Sequence, residues 1–292
     1  MKKTLKYSIL FVLIGLFSAC SDDKFEDSIF DTTPPVRTAF DKWLTENYVK
    51  PYNIEVKYRL EDIETDMKYS LVPASLDKSK IMVQIIKYAW LEAYNEAANV
   101  EFTKAIAPKV IHLIGSPGYN NNGSYLQGTA EGGVMITLYD INGLTIPIDP
   151  AQVKYSYFHV MHHEFAHILH QKINYDPLFK TISDGDYVAD EWVQSPYKDL
   201  AYALQRGFIS PYAQTYPDED FVETFSRYLI YTDAEWDYLM SAAGAQGAAI
   251  IGEKLDVVRK YLDSSWDIKL DVLKTAVQTR SDELPTLVFE QF

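Results

Sequence analysis

The chain has 292 residues, 41 of them acidic and 27 basic, for a formal charge of −14. That balance argues against a nucleic-acid partner and against broad contact with anionic lipid. A single cysteine excludes any disulfide within the chain, so a hydrophobic content of 47% must stabilise the fold through burial.

Lys2, Lys3 and Lys6 precede an apolar run over 7–17, which ends in Ser18-Ala19-Cys20. The run is too short to span a bilayer, and its order of charge, apolar core and small residues is that of a secretory signal. The cysteine after the small residues resembles a bacterial lipoprotein signal. This implies that residues 1–19 are removed and that Cys20 is acylated as the first mature residue. The lipid would then be the one contact with the membrane. Ser21-Asp22-Asp23 resembles the acidic tag that sends some Gram-negative lipoproteins to the outer face of the outer membrane; an ordinary solvated tether is the alternative. The polar stretch 20–37, with Thr32-Thr33-Pro34-Pro35, reads as that tether. One folded domain is expected over 38–292.

Residues 40–48 read as a short helix stopped by Pro51, and 54–58 alternate like a half-buried strand. A helix over 77–98 carries an apolar stripe of Ile81, Ile85, Tyr88, Ala89 and Trp90. A strand over 110–114, a Gly/Asn/Ser-rich loop over 115–133 and a second strand over 134–139 follow. Asp149-Pro150 is a helix start, with Asp as N-cap and Pro as first helical residue, and the helix runs to about residue 173. Further helices are expected around 221–231, 234–240 and 248–262. Strands come early and helices late, which predicts an α+β fold with a small sheet and a mainly helical C-terminal half.

Within the 150–173 helix lies His163-Glu164-Phe165-Ala166-His167. Residues i and i+4 project from one face, so the two imidazoles can bind one Zn²⁺ while Glu164 sits beside the ion and takes a proton from the attacking water. A catalytic zinc normally has three protein ligands. His170 is the nearby candidate ligand, and it shares roughly the same helix face with His159; both are alternatively supporting donors or simple polar residues. A metzincin would place histidine at position 173, which is Ile173. Downstream, Glu219 and Glu223 are spaced i, i+4, so that Glu219 can reach the metal while Glu223 buttresses a ligand. Asp220 is the alternative ligand, and a solvated acidic face is the alternative for the pair. Tyr212, seven residues before Glu219, is placed to donate a hydrogen bond to the oxygen of an attacked carbonyl. Asp190 and Glu191 read as surface charges or a helix start.

The pattern Tyr-x6-Glu-x-x-x-Glu after His-Glu-Phe-x-His resembles the gluzincin metallopeptidases, and in particular the catalytic domain of anthrax lethal factor. The resemblance implies a zincin-like domain with His163, His167 and Glu219 as zinc ligands and Glu164 as general base. Tyr212 then stabilises the oxyanion and Glu223 supports the ligands. The chain after the leader, including Tyr52-Asn53-Ile54-Glu55-Val56, is similar to zinc-binding metallopeptidase lipoproteins encoded beside TonB-dependent outer-membrane importers. That implies a peptide or protein substrate, a surface-exposed outer-membrane location, and an importer with its lipoprotein as partners. Two rival functions stay open: a zinc-binding importer subunit without catalysis, and a zinc hydrolase of non-peptide amide or ester bonds.

Overall fold

The computed structural model describes residues 36–60, 68–120, 125–131 and 133–292, without the side chain of residue 131. The leader, Cys20 and the tether up to residue 35 lie outside the described residues. No helix among those described is long and apolar enough to cross a membrane.

Helix α1 opens as Ala39–Leu44 behind a capping box, in which Thr38 Oγ1 accepts from the Asp41 N–H and Asp41 accepts from the Thr38 N–H. It does not stop at Pro51. A π-helical turn, Thr45–Val49, is followed by Lys50–Tyr52, and the helix ends at Asn53 in the left-handed region. The wider turn accommodates a proline that lacks the N–H an α-helix needs. Helix α2 spans 76–97, also with a π turn (Ile86–Leu91), and α3 is the short Val100–Ile106.

The four-stranded sheet has the order β1 (Glu55–Lys57), β2 (Val110–Leu113), β6 (Met135–Leu138), β5 (Gly128–Glu131). The first three are parallel, aligning Val56, Ile111 and Ile136, whereas β5 pairs antiparallel to β6. The stretch expected to be loop therefore holds β5, and also a two-stranded ribbon of β3 (Gly118–Tyr119) and β4 (Tyr125–Leu126). The second predicted strand is interior, and the sheet ends at β5.

Helix α4 covers 150–172 in three pieces, Pro150–Gln152, a π turn Val153–Phe158 and His159–Lys172. Asp149 caps it by accepting from the Ala151 N–H. It lies against β5 and β6. Gly128 permits that approach, because a Cβ there would sit 2.1 Å from Val160 Cγ1 on α4. On the far side Phe165 meets Trp90 and Tyr94 of α2 edge-on, at 5.4 and 4.8 Å.

After the short helices α5 (Leu178–Ile182) and α6 (Leu200–Gln205), α7 (Pro217–Ile230) crosses α4. Pro217 in its first turn and Asp218, Glu219 and Asp220 beside it suit a helix N-terminus. The two helices expected over 234–240 and 248–262 are both present in α8 (Asp233–Trp266), separated by a break at Gly244, whose φ of +69° is not helical. A last helix, α9 (Leu270–Glu283), packs on α7 and α2. Residues Thr38 to Phe292 form one compact unit of mixed α and β structure.

Candidate metal centre and active-site cleft

Helices α4 and α7 bring three donor atoms together: His163 Nε2, His167 Nε2 and Glu219 Oε2 lie within 4.8 Å of one another. Glu219 Oε2 is 3.1 Å from His163 Nε2 and 3.4 Å from His167 Nε2. A tetrahedral ion with bonds of about 2.0–2.1 Å holds its donors roughly 3.3 Å apart. Glu219 Oε2 is buried with no hydrogen-bond partner. Both facing nitrogens are free to coordinate because the other nitrogen of each ring donates elsewhere. His163 Nδ1–H donates to Glu223 Oε1 at 2.9 Å, and His167 Nδ1–H donates to His170 Nε2 at 3.0 Å. Two imidazole lone pairs and a carboxylate that converge in this way repel one another unless a cation lies between them. The donor set fits Zn²⁺.

The electrostatics agree. Burial pushes the Glu219 carboxyl up, but the two imidazoles facing it outweigh this and hold it at about 2. Burial pushes His163 down, yet Glu219 and Glu223 carry it up to about 10. The pair of carboxylates thus favours positive charge at this point, which a divalent ion supplies more fully than a proton.

His170 is not a third ligand: its Nε2 faces His167 rather than the donor cluster, and burial lowers it to about 4, so it stays a neutral acceptor. Asp220 is also excluded from the cluster, because it points into the core and pairs with Lys254 at 2.6 Å. Asp190 and Glu191 lie exposed on a 3₁₀ turn away from the cluster.

Glu223 is wholly buried and saturated. Its Oε1 accepts from His163 and from His159 Nε2 (2.7 Å), and its Oε2 accepts from Ser210 Oγ and Arg227 Nε, both at 2.6 Å. Burial opposes its charge, but the Arg227 guanidinium and His159 hold its carboxyl well below the ordinary range. Ser210 and Arg227 carry no motif in the sequence; Arg227, four residues past Glu223, reads there as an ordinary surface ion pair.

Glu164 is buried at the floor of a cleft of about 480 Å³, and its carboxylate accepts from the Ala130 N–H of β5. Burial raises its pKa, His163 and His167 lower it, and Glu219 raises it again, for a net upward shift. Tyr212, on the turn Tyr212–Gln214, stands across the cleft with its ring 6.0 Å from His163 and braced edge-on by Trp192 at 5.2 Å. Burial, then Glu219 and Glu223, push its phenol above the ordinary value, so it remains a donor.

Residues 33–271 match the family described as putative zinc-binding metallo-peptidases. The chain belongs to that family. It is similar to a putative zinc-binding metallo-peptidase from Bacteroides caccae ATCC 43185, whose crystal structure was determined at 2.10 Å resolution. The two share 44% identity and superpose with a TM-score of 0.76, covering 90% of this chain and 99% of that one. No curated protein matches the chain. Membership makes this a zinc-binding metallopeptidase domain of α+β type, with Zn²⁺ as its metal.

Proposed function

We propose that the protein is a zinc-dependent peptidase whose chemistry runs in the cleft between β5, α4 and the turn carrying Tyr212. The observation that carries this reading is the convergence of His163, His167 and Glu219 beside a buried Glu164, with Tyr212 opposite. Zinc, when bound, supplies Lewis acidity and brings the pKa of a water toward about 7.

Glu164 takes the proton of the attacking water and returns it to the departing amine, and its raised pKa suits both transfers. Tyr212 donates to the carbonyl oxygen as charge grows there. Glu223 and His170 hold the two ligand rings in the tautomer that presents Nε2. The outer edge of β5 supports binding of an extended substrate by strand addition. The spacing shared with anthrax lethal factor supports these assignments.

The mature chain begins at Cys20 in this proposal, with a lipidated tether to residue 37 and the catalytic domain over 38–292. The leader's resemblance to lipoprotein signals and the acidic Ser21-Asp22-Asp23 support a surface-exposed outer-membrane location. Similarity to lipoproteins encoded beside TonB-dependent importers supports a role in nutrient capture with such an importer and its lipoprotein.

Incubating zinc-loaded protein with a diverse peptide library, beside Glu164→Gln, tests the chemistry. Products read by mass spectrometry should appear with the wild type, and the variant should be slower by about 10²–10⁴-fold with one zinc retained. Zinc binding without cleavage by either would replace the peptidase with a non-peptide hydrolase or a binding subunit.

A further inference from the structure

Arg227 lines the same cleft, one helical turn beyond Glu223. Two edges of its guanidinium are committed: Nε–H donates to Glu223 Oε2 at 2.6 Å and Nη1–H donates to the Tyr231 hydroxyl at 2.7 Å. These bonds pin the plane of the fork. Nη2 has no protein partner among the described residues, and the side chain is 22% exposed. The other ionisable groups on the cleft wall are two glutamates, two histidines and two tyrosines. Arg227 is therefore the permanent cation on the described wall of a cleft in a chain of charge −14.

We propose that the free Nη2 edge of Arg227 binds a carboxylate of the substrate, so that the preferred peptides carry an acidic side chain or a free C-terminal carboxylate near the cleaved bond. This rests on the peptidase reading of the cleft. A hydrogen bond between charged partners is about twice as strong as one to a neutral carbonyl, so the free Nη2–H groups favour a carboxylate. Glu223 balances the net charge of Arg227 but takes only its Nε–H, so the Nη2–H groups are left to donate to an anion. One carboxylate separates the guanidinium from the His163 ring, which places the bound anion on the same cleft wall as the metal centre. A chain this acidic repels anionic peptides at long range, so a fixed cation inside the cleft discriminates in their favour only after entry.

The test uses zinc-loaded Glu164→Gln protein and calorimetric binding of matched peptides. One pair differs by Glu against Gln beside the cleavage site, and a second by a free against an amidated C-terminus. The carboxylate member of one pair should bind about tenfold or more tightly, and which pair responds tells a side chain from a chain end. In Arg227→Gln the affinity for the acidic member should fall to that of its neutral partner, while Arg227→Lys keeps part of the preference. Zinc content and thermal unfolding, followed in parallel, report whether the variants keep the site. Equal affinities within both pairs, including no binding at all, overturn the proposal. So does an Arg227→Gln loss that is the same for every peptide, which would assign Arg227 to holding Glu223 alone. Binding with preference but without cleavage by the wild-type enzyme would defeat the peptidase reading and leave the carboxylate site standing.

Discussion

Glu223 and Asp220 sit three residues apart on α7, and neither has any exposed surface, yet their surroundings are opposite. Glu223 accepts four hydrogen bonds and its carboxyl is held well below the ordinary range. Asp220 accepts from Lys254 and Tyr187 through Oδ2 alone, and its buried Oδ1 has no partner. Burial pushes it up to about 6 against the pull of Lys254. The cost of burial is common to both, and the number of donors decides the sign. Glu223, on the side of α7 turned to the metal centre, is fully satisfied, whereas Asp220, on the side turned to α8, sits in an ion pair that holds the core at a net cost.

The comparison breaks most visibly at Glu223. In Glu223→Ala, Arg227 and His159 lose their carboxylate and His163 loses the acceptor that fixes its tautomer. Stability should fall by about 3–5 kcal/mol, and zinc affinity by about 100-fold. Urea unfolding and chelator competition measure the two. Unchanged zinc affinity would mean that His163 is oriented by helix packing alone.

The Asp220 side should respond differently to single and paired changes. Lys254→Met leaves a buried carboxylate with one donor and should cost about 3 kcal/mol. Combining it with Asp220→Leu removes both charges, and stability should return to within about 1 kcal/mol of wild type or exceed it. A double variant as unstable as the single one would show that the pair is net stabilising, which the unpartnered Oδ1 argues against.

These two carboxylates also mark how far the sequence could be read. His163, Glu164 and His167 are legible because helical spacing alone puts them on one face, and Glu219 and Glu223 follow from the same geometry on a second helix. Which face of that helix meets the metal is not local information, so Asp220 remained a rival to Glu219. Lys254 reads as one more lysine in a long helix, yet it is wholly buried because Phe208, the Gly207 carbonyl and Asp220 surround it. Strand β5 was hidden for a different reason. Gly128, Thr129 and Ala130 have no apolar alternation, and what makes them a strand is pairing with β6 and the gap that Gly128 leaves for Val160. The helix over 77–98 and the strands over 54–58, 110–114 and 134–139 were recoverable within a residue or two, but the first helix runs four residues past its expected end, and α9 was not recovered, since it shows its apolar face only against α7 and α2.

A smaller effect separates the supports of the two ligand histidines. Glu223 holds His163 with a charge, whereas a neutral imidazole, His170, holds His167. His170→Ala should therefore weaken zinc binding by only about tenfold, well short of Glu223→Ala in the same chelator competition. Equal losses would show that orientation, rather than charge, carries the whole support.

The smallest expected effect is in the pH dependence of stability, where the two carboxylates of α7 act in opposite directions. Glu223 is depressed, so its contribution is present above the ordinary glutamate value of 4.5 and is lost as pH falls below it. Asp220 is raised from 3.8 to about 6, so its contribution is complete below 3.8 and is lost as pH rises through about 6. Between pH 7 and 5, then, Asp220 takes up a proton in the folded state while Glu223 stays charged. Relative to Asp220→Asn, which cannot titrate, the wild type should gain about 1 kcal/mol over that interval. Urea midpoints at pH 7, 6 and 5 measure the difference. Parallel curves would mean that Lys254 holds Asp220 ionised throughout, and the donors around Asp220 would then outweigh its burial as those around Glu223 do.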